Sequence, residues 1–165
     1  MKKAEDIFKE VSERNADTVY RLAYSQTKNP HDADDVFQEV FYRYLKRRPE
    51  FESSEHEKAW FIRVTLNLTK THFKSFWKTK TAELTETADY DGWESEFDGQ
   101  AVDRIYLQTA LKKLPKKYRA VLHLFYYEEL QTRDIAKILK TSDANTRMLL
   151  SRARKMLKEI LEREA

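Results

Sequence analysis

The only two glycines of this 165-residue chain, Gly92 and Gly99, fall within one short stretch, and its only prolines are Pro30, Pro49 and Pro115. A many-stranded sheet needs more turn residues than that, and a phosphate-cradling loop needs glycine. The chain must therefore run in long segments with few breaks, and helices meet that condition. Apolar residues make up 41% of the sequence, enough for a core. No apolar run approaches the ~20 residues of a membrane span. The start, Met1 to Asp6, turns acidic with no signal-peptide stretch behind it. The absence of cysteine excludes disulfides, thiolate zinc sites and a cysteine nucleophile. The expectation is an all-α, soluble, cytoplasmic protein without membrane insertion.

Apolar spacing fills in the helices. Ile7, Val11, Tyr20, Leu22 and Tyr24 mark a first one over about 4–27. Asn29-Pro30 offers an N-cap followed by proline at the first helical position. The next helix carries Val36, Phe37, Val40, Phe41, Tyr44 and Leu45 to about Arg48. Ser54-Glu55-His56-Glu57 matches a capping box, and a third helix runs to about Trp77, weakened by Val64, Thr65, Thr69 and Thr71. The second half has shorter helices. One spans Ala101 to Leu114, and Pro115 opens another that buries Tyr118, Val121, Leu122 and Phe125. A short one over about 133–140 follows Thr132 as N-cap, with Ile135, Ala136, Ile138 and Leu139 inward. A break at Lys140-Thr141-Ser142-Asp143 precedes a last helix to about Arg163.

The net charge of +3 hides a segregation. Residues 1–78 carry +2, residues 79–104 carry −6 and residues 105–165 carry +7. The middle segment holds both glycines, and its apolar residues follow no period. It reads as an acidic linker between two small helical domains, 1–78 and 105–165.

Two features point to nucleic acid. Two short helices across a tight polar turn, the second strongly basic, suggest a helix-turn-helix in the C-terminal domain. Ala136 supplies the small residue at the contact. On the last helix Leu150, Ala153, Leu157 and Ile160/Leu161 form one stripe, while Arg147, Ser151, Arg154, Lys155 and Lys158 lie opposite. Such a helix fits the major groove, where arginine pairs bidentately with guanine. An ordinary helix with a solvated basic face has the same pattern. In the first domain, Lys58 to Lys78 holds five basic residues and no acidic one, interleaved with Trp60, Phe61, Phe73, Phe76 and Trp77. Cations that follow a backbone and aromatics that stack on bases are what a single strand requires. A core helix whose lysines are merely solvated is the alternative reading.

These residues, taken in order, resemble an RNA polymerase sigma factor of the extracytoplasmic-function (ECF) type, within the sigma-70 family. Asp32-Ala33-Asp34-Asp35-Val36-Phe37-Gln38-Glu39-Val40-Phe41 is similar to the region 2 helix that docks on the polymerase clamp. Ala59-Trp60-Phe61-Ile62-Arg63-Val64-Thr65-Leu66-Asn67-Leu68 is similar to the helix that melts and reads the −10 element. Leu114-Pro115-Lys116-Lys117-Tyr118-Arg119 resembles the opening of region 4, and Asp134-Ile135-Ala136-Lys137-Ile138-Leu139 its first motif helix. Ser151-Arg152-Ala153-Arg154-Lys155-Met156-Leu157 resembles the end of its −35 recognition helix.

The resemblance implies a factor without chemistry or cofactor of its own, directing promoter-specific initiation. Its expected partners are core RNA polymerase (clamp and flap), promoter DNA and an anti-sigma protein. It places Asp34, Asp35, Phe37, Gln38, Glu39 and Phe41 at the polymerase, with Phe37, Phe41 and Tyr42 exposed. Asn67, Lys70 and Lys74 fall at the −10 strand. Asn145, Arg147, Met148, Ser151, Arg152, Arg154 and Lys155 fall at the −35 duplex, with Arg147 and Arg152 toward base edges and Arg154 and Lys155 toward phosphates. The family commonly has Gly-Thr-Val-Lys-Ser-Arg where this chain has Ala144-Asn145-Thr146-Arg147-Met148-Leu149. Direct readout by hydrogen bonds is reduced there, and Met148 offers only an apolar contact.

Other residues invite other chemistry. His31, Asp32, Asp34 and Asp35 cluster, but acidic residues in a first turn also suit the helix dipole, and no metal is expected. Glu128 and Glu129 are adjacent and share no helix face. His56, His72 and His123 are dispersed, with His123 expected in or near the core. An enzyme is the least supported class. Two rivals to the sigma reading are a helix-turn-helix regulator acting without polymerase and an RNA-binding or nuclease-like helical protein.

Overall fold

The computed structural model describes the backbone of residues 3–79 and 101–164 and the side chains of residues 3–70 and 106–163. Residues 80–100 of the expected linker, and the side chains of Phe73, Lys74, Phe76 and Trp77, lie outside the described residues. Contacts divide the chain into two compact units, Met1–Asp89 and Tyr90–Ala165. Among the described residues all regular structure is helical.

The first unit contains α1 (Ala4–Thr27), α2 (Pro30–Arg47) and α3 (Ser54–Thr79), each packed on the other two. The α1–α2 corner follows from sequence chemistry. The Asn29 side chain accepts from the Asp32 backbone N–H at 3.1 Å, and Pro30 takes the first turn, where no N–H is needed. The core between the helices holds Val19, Leu22, Val36, Val40, Phe61 and Ile62. An aromatic cluster extends it. Tyr44 lies 5.7 Å from Phe8, 5.5 Å from Phe61, 6.1 Å from Trp60 and 6.3 Å from Phe51, centroid to centroid.

Three expectations change here. Phe41 is not exposed: it is 9% accessible and sits 4.8 Å from Phe37 and 5.3 Å from Phe61. Its position on the inner face of α2 makes it core, and Phe37 beside it is half-buried. Second, the cap of α3 is one residue earlier than Ser54. The Ser53 hydroxyl accepts from the His56 backbone N–H at 3.1 Å, and His56 Nδ1 accepts from the Glu52 N–H at 3.1 Å. Third, Glu57 is released from capping and turns inward. It accepts two hydrogen bonds of 2.9 Å from the Arg14 guanidinium and one of 2.8 Å from Asn15 Nδ2. Two threonines of α3 also turn inward. Thr65 and Thr69 are buried, their hydroxyls donating to the Phe61 and Leu66 carbonyls.

The second unit contains α4 (Ala101–Lys112), α5 (Lys116–Leu122), α6 (Thr132–Leu139) and α7 (Asp143–Glu164). Arg119 is buried at the α4–α5 corner and donates from Nη1 to the Leu114 carbonyl. Burial lowers its pKa to about 10, which leaves it charged at neutral pH. After Leu122 the helix widens into a π-helical turn, His123–Tyr127, where the Glu128 N–H reaches back to the His123 carbonyl at 3.0 Å. His123 is 2% accessible, as expected, and stacks on Tyr127 at 5.0 Å. Glu128 is buried too, its Oε2 3.6 Å from His123 Nε2. Tyr118 and Phe125, expected in the core, are only half-buried at its margin. Thr132 is the first residue of α6 rather than its cap, and Gln131 precedes it without a side-chain cap.

The Arg14 hydrogen bonds, with that from Asn15, hold the Glu57 carboxyl below the ordinary glutamate range, against the opposing effect of burial. A depressed carboxylate stabilises the fold above its unfolded pKa and ceases to do so as pH falls through the folded value. The first unit should therefore lose stability below about pH 4.3, the ordinary glutamate value. Glu57→Gln should cost about 1–2 kcal/mol at pH 7 and flatten that acid limb. Chemical denaturation of both proteins between pH 7 and 3 measures this, and parallel acid limbs would refute it.

Candidate functional site

The most defined surface is built by α6 and α7. Helix α6 ends at Lys140, whose φ of 58° is left-handed. The Thr141 N–H then donates to the Ala136 carbonyl at 2.9 Å, closing the helix end. Two residues later α7 begins under its own cap. The Ser142 hydroxyl accepts from the Asn145 N–H at 3.0 Å. Asn145 Nδ2 donates back to Thr141 Oγ1 at 2.8 Å, and the Thr146 hydroxyl donates to the Ser142 carbonyl at 3.0 Å. The turn is thus fixed by its own polar groups. Ala136, Thr146 and Ala153 are all buried, and α6 packs on α7.

Burial along α7 then sorts its residues. Thr146, Leu150, Ala153 and Ile160 are buried, with Leu157 and Leu161 half-buried beside them. Arg147, Met148, Ser151, Arg152, Arg154, Lys155 and Lys158 are exposed. The inner stripe is the expected one, lengthened by Thr146. Within the −35 set Asn145 differs: it is half-buried and its amide serves the turn. Arg147 pairs with Asp143 one turn back, an exposed ion pair of little energetic weight. Met148 is 41% accessible. Arg154 donates from Nε to the Tyr126 hydroxyl at 2.5 Å.

In the first unit, Asp34, Asp35 and Gln38 are exposed on α2, and Glu39 is half-buried with Arg43 at 3.1 Å. Asp35, Gln38, Tyr42 and Leu45 recur at steps of three and four, so they share one outer face. Tyr42 is exposed, and Leu45 is 43% accessible. On α3, Asn67 and Lys70 are exposed one turn apart on the face opposite Leu68 and Thr69. Trp60 is half-buried within the aromatic cluster. Among the described residues no group of three or more His, Cys, Asp or Glu side chains is placed to hold a metal. No described helix is long and apolar enough to cross a membrane.

Two family models match this chain in order: Sigma-70 region 2 over residues 11–79 and Sigma-70, region 4 over residues 104–157. The ECF RNA polymerase sigma factor SigM of Bacillus subtilis is 30% identical over 161 residues, covering 93% of this chain and 94% of that protein. The chain belongs to the sigma-70 family, in its ECF group.

The ECF RNA polymerase sigma factor SigE of Mycolicibacterium smegmatis is also 30% identical, over 94% of this chain, which spans 62% of that relative's length. A solved structure with the same fold is the sigma factor RpoE from Bartonella quintana, crystallised with the anti-sigma factor NepR. It has a TM-score of 0.77 and 20% identity, covering 94% of this chain and 96% of that one. As an RNA polymerase sigma factor, this chain acts in promoter-specific initiation. A helix-turn-helix regulator acting without polymerase is not favoured, because region 2 matches as well as region 4.

For this sigma factor, sequence reasoning missed Leu45 and Tyr126. Leu45 follows the apolar period of α2 as closely as Tyr44 does. Only the step from Gln38 through Tyr42 separates the outer stripe from the inner one. The contact from Tyr126 to Arg154 spans two helices and has no local signal. The placement of the turn also carries a stability expectation. Removing the α7 cap by Ser142→Ala should cost the second unit about 1 kcal/mol. Thermal denaturation of the full chain reads this, and an unchanged melting temperature would refute the cap.

Proposed function

We propose that this sigma factor holds core RNA polymerase through the outer face of α2 and contacts promoter DNA through α3 and α7. The observation that carries the reading is the one-sided chemistry of α7, whose outward face presents Arg147, Arg152, Lys155 and Lys158 and whose inward face is apolar. A basic helix of this shape suits the major groove, with arginines at base edges and lysines on phosphates. On α2 the docking face comprises Asp34, Asp35, Gln38 and Glu39, extended by Tyr42 and Leu45. Phe37 and Phe41 support it from within. An apolar residue flanked by acidic and amide groups is a suitable interface centre. On α3, Asn67, Lys70 and Lys74 are spaced to follow one strand of the opened −10 element. The acidic linker connects the two DNA-reading units, and the flap is the second contact on polymerase.

The protein works where polymerase and promoters are, in the cytoplasm, and acts by binding rather than by catalysis. An anti-sigma protein that covers these surfaces completes the reading. The Bartonella quintana factor, crystallised with NepR, supports it. Transcription in vitro with core polymerase, with and without this chain, is the direct test of the whole. Initiation that does not depend on the chain would overturn it.

Two substitutions divide the surfaces. Gln38→Ala combined with Leu45→Ala should weaken binding to purified core enzyme at least tenfold, the scale of a lost interface anchor, while leaving the helical content intact. Equal affinity in a fluorescence titration would remove α2 from the interface. On α3, Lys70→Ala should slow opening of duplex promoters more than transcription from templates already mismatched at −10. Permanganate reactivity of −10 thymines on both templates, at equal holoenzyme loading, measures the difference. Equal reactivity on duplex templates would leave α3 a solvated core helix.

A further inference from the structure

The contact between Arg154 and the π-helical turn assigns a role to a residue outside the recognition helix. Arg154 Nε donates to the Tyr126 hydroxyl at 2.5 Å. The guanidinium carbon also lies 5.4 Å from the Tyr126 ring centroid and 5.5 Å from that of Phe125. Those two rings meet edge to face at 4.9 Å and 83°, so they form a corner rather than a flat patch. The arginine is held in this corner while remaining exposed, and Tyr126 itself is 57% accessible. An exposed arginine is ordinarily free to sample many rotamers. This one is anchored by one hydrogen bond and two cation–π contacts.

We propose that Tyr126 and Arg154 form one phosphate-binding unit beside the recognition helix, with Tyr126 as a positioning residue that also donates to the phosphate. The donor arithmetic supports this. A guanidinium has five N–H donors, and Nε uses one on Tyr126. The four on the two Nη atoms keep the planar fork that matches phosphate oxygens. The Tyr126 oxygen accepts from Nε, so its own proton remains available to a third oxygen. Position agrees with chemistry. Arg147, Ser151 and Arg154 recur at steps of four and three on the outward face, and Arg154 lies two turns, about 10.5 Å, beyond Arg147 along α7. A residue displaced that far from a base-reading position is within the span of the flanking sugar-phosphate backbone. Exposed Lys158 follows Arg154 one turn on along the same side of α7, with Lys155 on the adjoining side, so the local field favours an anion of this kind. The π-helical turn is the device that brings Tyr126 to this place from a helix that otherwise faces the core.

The inference rests on the reading of α7 as the −35 helix, and the test separates the two. Holoenzyme is reconstituted from core polymerase and the full chain, and a duplex promoter is enriched from a library randomised at −35 and −10. Affinity for that duplex is measured from low to high salt for wild type, Tyr126→Phe, Arg154→Gln and the double variant. Arg154→Gln should lower the magnitude of the salt slope by about one unit, the release expected for one phosphate contact. Tyr126→Phe keeps the ring and should weaken binding about fivefold through the lost hydrogen bond. It should have little further effect once Arg154 is Gln, because the two act together. All four proteins should keep the same preference at every −35 base. A wild-type slope in Arg154→Gln, or additive losses in the double variant, would overturn the phosphate unit and leave Arg154 an internal strut. Failure of the wild-type holoenzyme to enrich any promoter would instead overturn the reading of α7 itself.

Discussion

Burying a charge in a small helical unit is costly unless its hydrogen-bonding groups are met by partners, and in each unit of this chain one such charge fastens one helix to what precedes it. In the first unit it is Glu57, whose carboxylate takes the Arg14 fork and the Asn15 amide. That contact joins the first turn of α3 to the middle of α1, at Arg14 and Asn15. The azimuth of α3 is thereby set, and with it the outward direction of Asn67 and Lys70. In the second unit it is Arg119, which fastens α5 to the Leu114 carbonyl in the turn after α4. The scaffold on which α6 and α7 pack begins at that corner. Apolar packing supplies most of the free energy in both units, but apolar contacts alone permit helices to rotate and slide. The buried charges have one satisfactory geometry each.

How far the sequence revealed this depends on whether the controlling interaction is local. The Asn29-Pro30 start of α2 was legible because cap and proline act within four residues. The inner stripe of α7 was legible because a seven-residue repeat needs no knowledge of what lies opposite. Glu57 was misread for the same reason: a glutamate three residues after a serine fits a capping box, and only a partner 43 residues away in sequence draws it inward. Phe41 was assigned to a surface by its motif. The aromatic neighbours that bury it, chiefly Phe61, belong to another helix. The π-helical turn gives no signal either, since widening a helix by one residue leaves composition unchanged. It nevertheless leaves Phe125 at the margin and Tyr126 outward.

The shortage of glycine has a structural consequence beyond the choice of helices. Helix ends commonly close with a left-handed residue, and glycine takes that conformation without a Cβ penalty. Here Lys28, Arg48 and Lys140 occupy it at φ of 59°, 44° and 58°. Each accepts a steric cost on the order of 1 kcal/mol, offset in part because a cation at a helix C-terminus meets the negative end of the dipole. The α6–α7 turn shows why the exchange is workable. Lys140 bends the chain, Thr141 closes α6, and Ser142 and Asn145 cap α7. No single residue of the turn has to be glycine, since its polar side chains share the work of holding it.

That sharing also bears on the proposed reading of DNA by α7. Asn145 is committed to the turn, Thr146 and Leu150 to the core, and Leu149 to the half-buried flank. What remains outward as far as Ser151, apart from Ala144, is Arg147, Met148 and Ser151. One bidentate donor, one apolar contact and one hydroxyl carry less hydrogen-bond information than the Lys-Ser-Arg run common in the family. On the proposed reading, selectivity at −35 leans on the guanine contacts open to Arg147 and Arg152, on the thymine methyl that Met148 can meet, and on the shape of the duplex. On the same proposal, affinity rests on the phosphates within reach of the later basic residues. The two demands fall on different turns of one helix, so either can change without rebuilding the turn that positions both.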